Sequence, residues 1–308
     1  MMQVTLLGCG GTMPLPSRAL SSAAVTVAGR NILFDCGEGT QTACRRRHVS
    51  LYKTDVICLT HYHGDHIFGL PGFLQSMGNA GRTDPVTITG PKGLREVMAA
   101  MMALCKGLPF ALILCENPEA LPLPGGAMLY SYPMQHRVEC IGYRVQLPRA
   151  GRFDPDAARA LGVPQRDWKR LQSGQTVTTA DGSVIRPQQV LGPARPGLAV
   201  AFCTDTRPCA GLAAAAQNAD LLLCDATYGE DAQQDKAVEF GHCTWREAAR
   251  AAAEAGARRL WLTHYSAAIE APEQYLPAAQ AEYPAAEAGF DGKTLTLSFA
   301  GSDPGQSS

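Results

Sequence analysis

The chain has 308 residues, 46% of them hydrophobic, enough to bury one large core or two ordinary ones. Its 27 Lys and Arg stand against 28 Asp and Glu, a formal charge of -1, which argues against wholesale non-specific attraction to nucleic acid and makes any polyanion site a local one. Eleven cysteines without a CxxC pair, no apolar run of the roughly 18 residues needed to span a membrane, and an opening MMQVTLLGCGG without a basic leader together predict a cytoplasmic protein with free thiols.

In chain order, short strands are expected at Gln3 to Leu7, Ala23 to Val27 and Asn31 to Phe34, separated by glycine-rich turns. The apolar, β-branched run Asp55 to Thr60 reads as a buried strand, and the cluster THYHGDH begins as it ends. Gly93 to Cys105 has helical periodicity, with its methionines serving core packing, and Ala127 to Pro133 returns to strand. Residues 149–197 differ in character. They carry eight Arg or Lys against four Asp, a surplus of +4 that leaves -5 elsewhere, and predict a protruding basic insertion. Strand and helix then alternate through Leu198 to Phe202, Leu212 to Gln217, Asp220 to Cys224, Arg246 to Ala255 and Arg258 to Thr263. Thr244 and Glu247 have capping-box spacing, and Gly256 stands where that helix should stop. Residues 301–308 (GSDPGQSS) are expected to form a disordered tail.

The polar residues gather at strand ends. LTHY occurs twice, at 59–62 and 262–265, each time closing an apolar strand, so His61 and His264 emerge alike. Asp205 follows LAVAF, Asp225 follows DLLLC, and His136 follows LYSYPMQ. Side chains projected from the carboxyl ends of several strands meet at one sheet edge, where layered α/β folds hold their sites. Within the cluster, His61 and His63 lie two apart on a loop, and Asp65 and His66 add an oxygen and a third nitrogen. That donor set suits zinc, and the absence of cysteine suits a catalytic rather than a closed structural site.

THYHGDHIFGLPG resembles the signature of the metallo-β-lactamase superfamily, and its GLPG extension resembles the ribonuclease Z family of tRNA 3′-processing endonucleases. The resemblance extends over most of the chain, through MMQVTLLGCGGTMP, FDCGEGTQ, GPKGL, HRVECIGYR, TDTRP, AVEFGHCT and LTHYSA. It implies an α/β fold, a four-layer αββα sandwich formed by one domain over residues 1–300, with 149–197 inserted as a tRNA-binding arm. It also implies two zinc ions: one held by His61, His63 and His136, the other by Asp65, His66 and His264, with Asp205 bridging and Asp35 orienting ligands. Precursor tRNA as substrate and a homodimer in which one subunit's arm serves its partner's site follow from the same resemblance.

Two residues are expected to move protons: Asp65 as acceptor beside the attacking water, and His242 as donor to the departing ribose oxygen, with Asp225 fixing its tautomer. Where the family carries His-Glu-Ala-Thr, this chain has Cys224-Asp225-Ala226-Thr227, a carboxylate shorter by about 1.5 Å. The Gly-Pro step after GVP is replaced by Gln165-Arg166-Asp167-Trp168, and the Arg-Tyr after LTHYSA by Ala268-Ile269. These departures keep open a hydrolase of a small phosphodiester, sulfate ester or thioester on the same metal site. A non-catalytic nucleic-acid-binding protein on this scaffold must explain why every ligand position is kept.

Overall fold

The computed structural model describes residues 1–299 apart from 104 and 106; the tail expected at 301–308 lies outside them. Two seven-stranded sheets form the body. The first runs, edge to edge, Thr294–Leu297, Met2–Gly8, Ser22–Val27, Arg30–Phe34, Thr54–Cys58, Val86–Gly90 and Leu112–Glu116. The second runs Ala286–Ala288, Leu260–Thr263, Leu221–Asp225, Arg195–Cys203, Cys140–Arg149, Met128–Met134 and Ala120–Pro122. Each is mixed, with a parallel half: from Arg30–Phe34 onward in the first, and from Arg195–Cys203 to Ala286–Ala288 in the second.

The central parallel strands are rich in apolar residues because both of their faces are covered. Leu33 and Ile57 pack with Phe73, Leu74, Leu94 and Met98 of the helices Leu70–Asn79 and Leu94–Met102, so one face of the first sheet carries a helical layer. The opposite face meets the second sheet: Phe34 stacks on Phe202 at 5.2 Å between ring centroids, and the buried Tyr143 hydroxyl donates to the Leu59 carbonyl at 2.8 Å. The helix Trp245–Glu254 covers the second sheet with Trp245, Ala248, Ala249 and Ala252 fully buried. It starts on the expected capping box, and Gly256 just beyond it takes φ +66. The layering is helix, sheet, sheet, helix. No helix among the described residues is long and apolar enough to cross a membrane.

The chain divides into two compact units, residues 147–198 and the remainder. The smaller unit has its own core of Ala158, Val163, Leu171, Val177, Ile185 and Val190. Its helix Pro155–Ala160 is capped by Asp154, whose side chain accepts from the amides of Asp156 and Ala157 at 2.9 Å.

Candidate metal centre

The backbone delivers the cluster in three pieces. The Arg30–Phe34 strand ends in Asp35, the Thr54–Cys58 strand leads into His61, and the second sheet ends its parallel strands in Asp205, Asp225 and His264. Asp35, Asp205 and His264 each take a left-handed φ, of 54°, 58° and 60°. Three non-glycine residues in that region cost roughly 1–3 kcal/mol each, which the packed sheets beneath them sustain. Fold and site are thus linked: burial of the sheets holds strained residues at their edge.

The donor atoms converge on two points. Asp65 Oδ2, His66 Nε2, His264 Nε2 and Asp205 Oδ1 lie near one another, with His66 to Asp65 at 3.4 Å, His66 to Asp205 at 3.3 Å, His264 to Asp205 at 3.0 Å and His66 to His264 at 3.2 Å. Around the other point, Asp205 Oδ2 is 3.5 Å from His61 Nε2 and 3.8 Å from His136 Nε2, and His61 Nε2 is 2.8 Å from His63 Nδ1. A tetrahedral ion with bonds of about 2.0–2.1 Å requires donors roughly 3.3 Å apart, so these spacings fit. His136 Nε2 and Asp205 Oδ1 are buried without a hydrogen-bond partner, although Asp205 Oδ1 is close to two imidazoles; both are atoms aimed at a cation rather than at each other.

The opposite nitrogen of each imidazole is held from behind. Nδ1 of His66 meets Asp35 at 2.8 Å, Nδ1 of His61 meets Thr60 at 3.0 Å, Nδ1 of His264 meets Thr227 at 3.0 Å, and Nδ1 of His136 donates to the Gly241 carbonyl at 2.9 Å. These partners turn Nε2 inward. Only His63 faces the cluster through Nδ1, and it is exposed, so solvent enters on its side. Burial pulls His61, His63 and His136 toward the neutral form that can bind metal. Burial pushes the carboxyls of Asp65 and Asp205 up, but the facing imidazoles of His264 and His66 outweigh it and hold both well below the usual range. The residues present fit a divalent metal.

Asp35 is fully buried and its carboxylate is fully used: Oδ1 accepts from the Thr60 amide at 2.8 Å, and Oδ2 meets His66. Asparagine would place an amide donor against one of these two donors. Asp35→Asn is expected to weaken metal binding by about 10–100-fold, measured by chelator competition, with the fold retained.

Beside the cluster, His242 Nδ1 meets Asp225 Oδ2 at 2.7 Å. The shorter carboxylate reaches because Asp225 ends its strand opposite Thr263, within reach of the loop that carries His242. Asp225 Oδ1 accepts from the amide and hydroxyl of Thr227 at 2.9 and 2.8 Å, so the carboxylate is fixed from both sides. Burial lowers the basicity of His242, but Asp225 more than compensates and the imidazole is pushed up to about 9. Arg207 donates to the His242 carbonyl at 2.7 Å and pairs with Glu247 of the capping box, which pins this loop.

All seven expected ligands and both expected proton carriers are therefore brought to one edge. Three residues that the sequence reading left without a role support the site. Thr227 ties Asp225 to His264; Gly11 is required because a Cβ would lie 2.6 Å from the His264 ring; the Thr12 amide donates to Asp65 Oδ2 at 2.7 Å. Asp225 and His242 also lie within 4.8 Å of Asp205 and His264, but the 2.7 Å bond between them occupies a donor atom of each.

The family model of the metallo-beta-lactamase superfamily matches residues 19–136, and that of a beta-lactamase superfamily domain matches 135–265. Ribonuclease Z of Lachnoclostridium phytofermentans is 45% identical over 301 residues, 97% of this chain and 99% of that protein. Ribonuclease Z of Lachnospira eligens is 42% identical with the same coverage. The crystal structure of human tRNase Z, short form, superposes with a TM-score of 0.70 at 25% identity, covering 96% of this chain and all of that one. With this site, this fold and relatives matched from end to end, the chain belongs to the ribonuclease Z family of the metallo-β-lactamase superfamily.

Proposed function

We propose that the protein is a binuclear zinc endoribonuclease that removes the 3′ trailer of precursor tRNA. The observation that carries the reading is Asp205, buried, with one carboxylate oxygen among His66 and His264 and the other among His61 and His136. His61, His63 and His136 would hold one ion, Asp65, His66 and His264 the other, and Asp205 both. When bound, such a pair supplies Lewis acidity: it activates water near neutral pH and neutralises charge on phosphoryl oxygens.

The chain's own residues supply the rest. Asp65 stays ionised, its Oδ2 fixed by the Thr12 amide, and accepts the proton of the attacking water. His242, whose basicity Asp225 raises, donates a proton from Nε2 to the departing ribose oxygen, while Asp225 holds Nδ1. The loop pinned by Arg207 keeps that imidazole 5.0 Å from the His136 ring and 5.3 Å from the His264 ring, centroid to centroid, beside both groups of ligands.

Residues 149–197 are the reading's RNA-binding arm. The arm's charge is less free than its composition suggests: Arg159 pairs with Asp156, and Arg166 and Arg170 with Asp167. Trp168 packs 5.3 Å from Phe153 between ring centroids and donates to the Val163 carbonyl. Arg152, Lys169 and Arg186 are exposed, without an ion pair among the described residues, and are the cations best suited to phosphates. Deleting residues 152–190 is expected to abolish cleavage of precursor tRNA while a nitrophenyl phosphate diester is still hydrolysed; equal loss of both would make the segment structural. The family resemblance also supports a cytoplasmic homodimer, which sedimentation equilibrium checks.

A further inference from the structure

Two side chains at the rim of the metal centre have no part in the chemistry above. Arg137 directly follows His136, and Phe240 lies two residues before His242. The Arg137 guanidinium lies over the Phe240 ring at 5.4 Å from its centroid. Arg137 is exposed and has no ion pair among the described residues, and Phe240 is 37% exposed.

The two segments that carry the pair are tied together. Gly241 takes φ +76, and its carbonyl receives the His136 Nδ1 proton; a Cβ there would lie 3.0 Å from that nitrogen and 3.2 Å from the Arg137 amide. Glycine thus lets the two segments touch. His242 is fixed on the far side through its amide, which donates to Ala237, and its carbonyl, which accepts from Arg207. An exposed aromatic face and a guanidinium plane, both tied to catalytic-site residues, form a platform of the type on which unpaired RNA bases stack.

We propose that Arg137 and Phe240 form a base-stacking subsite for the unpaired nucleotide flanking the scissile phosphate. The subsite rests on the endoribonuclease reading and adds how the strand is aligned: the base rests on the Arg137–Phe240 pair, which sets its phosphate against His242 and the metal ligands. Stacking does not depend on base identity, so the subsite selects for an unpaired, flexible nucleotide rather than for a sequence.

The test combines protein and substrate changes. Zinc-loaded wild type, Phe240→Ala, Phe240→Tyr and Arg137→Gln are assayed on precursor tRNA that is intact or abasic at the nucleotides on either side of the cut. Phe240→Ala is expected to raise KM about tenfold with kcat changed much less, Phe240→Tyr to recover the loss, and Arg137→Gln to fall between. An abasic nucleotide should cost wild type a similar factor and Phe240→Ala almost nothing. If the abasic substrate costs Phe240→Ala as much as it costs wild type, or if Phe240→Ala matches wild type on intact substrate, the subsite is wrong while the function stands. If wild type does not cut precursor tRNA at all, the function fails and the subsite with it.

Discussion

Asp205→Asn is expected to lose at least one of the two proposed metal ions and to slow precursor tRNA cleavage by about 10³-fold or more. The side chain is nearly isosteric, so the fold and the left-handed backbone at φ +58 should survive. The chemistry does not survive, because asparagine keeps one oxygen and turns the other into a donor-only NH₂ facing either His66 and His264 or His61 and His136. One group of ligands then loses both its carboxylate oxygen and its negative charge. Plasma emission analysis of dialysed protein reads the metal loss, and a melting curve shows whether the body is intact. Full metal content with full activity would remove the bridge from the account.

His242→Ala is expected to slow cleavage by about 10²–10⁴-fold with metal content near wild type, because the imidazole gives a proton rather than holding an ion. Its Nδ1 is already committed to Asp225 at 2.7 Å. Asp225→Asn should reproduce most of the loss, and the double variant should be little worse than His242→Ala, since the two act as one unit. Loss of zinc on His242→Ala would mark it as a ligand.

How much of this could be read in the sequence follows from how many neighbours each feature needs. Some parallel strands stood out because burial on both faces makes them largely apolar, as in Leu221–Asp225 and Leu260–Thr263, whereas Val86–Gly90, Leu112–Glu116 and Ala286–Ala288 did not. The ligands stood out because they follow those runs at once: His61 comes three residues after its strand, and His264 directly after its own. The reach of Asp225 could not be judged from a residue count, since it depends on where the 242–244 loop settles, and Arg207 helps decide that from a distant position. Thr227 and Gly11 both meet the His264 ring, a contact that spacing along the chain does not encode. The arm's surplus of +4 was legible in the composition, but which of its cations stand unpaired was not, since Asp156 and Asp167 pair with Arg159 and Arg170 three residues away.

The central claim is that this metal centre cuts RNA internally at the tRNA 3′ end. The most direct measurement is incubation of the zinc-reconstituted full chain with a precursor tRNA labelled at its 3′ terminus, followed by sizing of the labelled product. The account predicts one labelled trailer of fixed length, released in a single cut and absent after chelation. Labelled mononucleotides, a chelator-insensitive cut, or an untouched precursor beside rapid turnover of a small ester would contradict it.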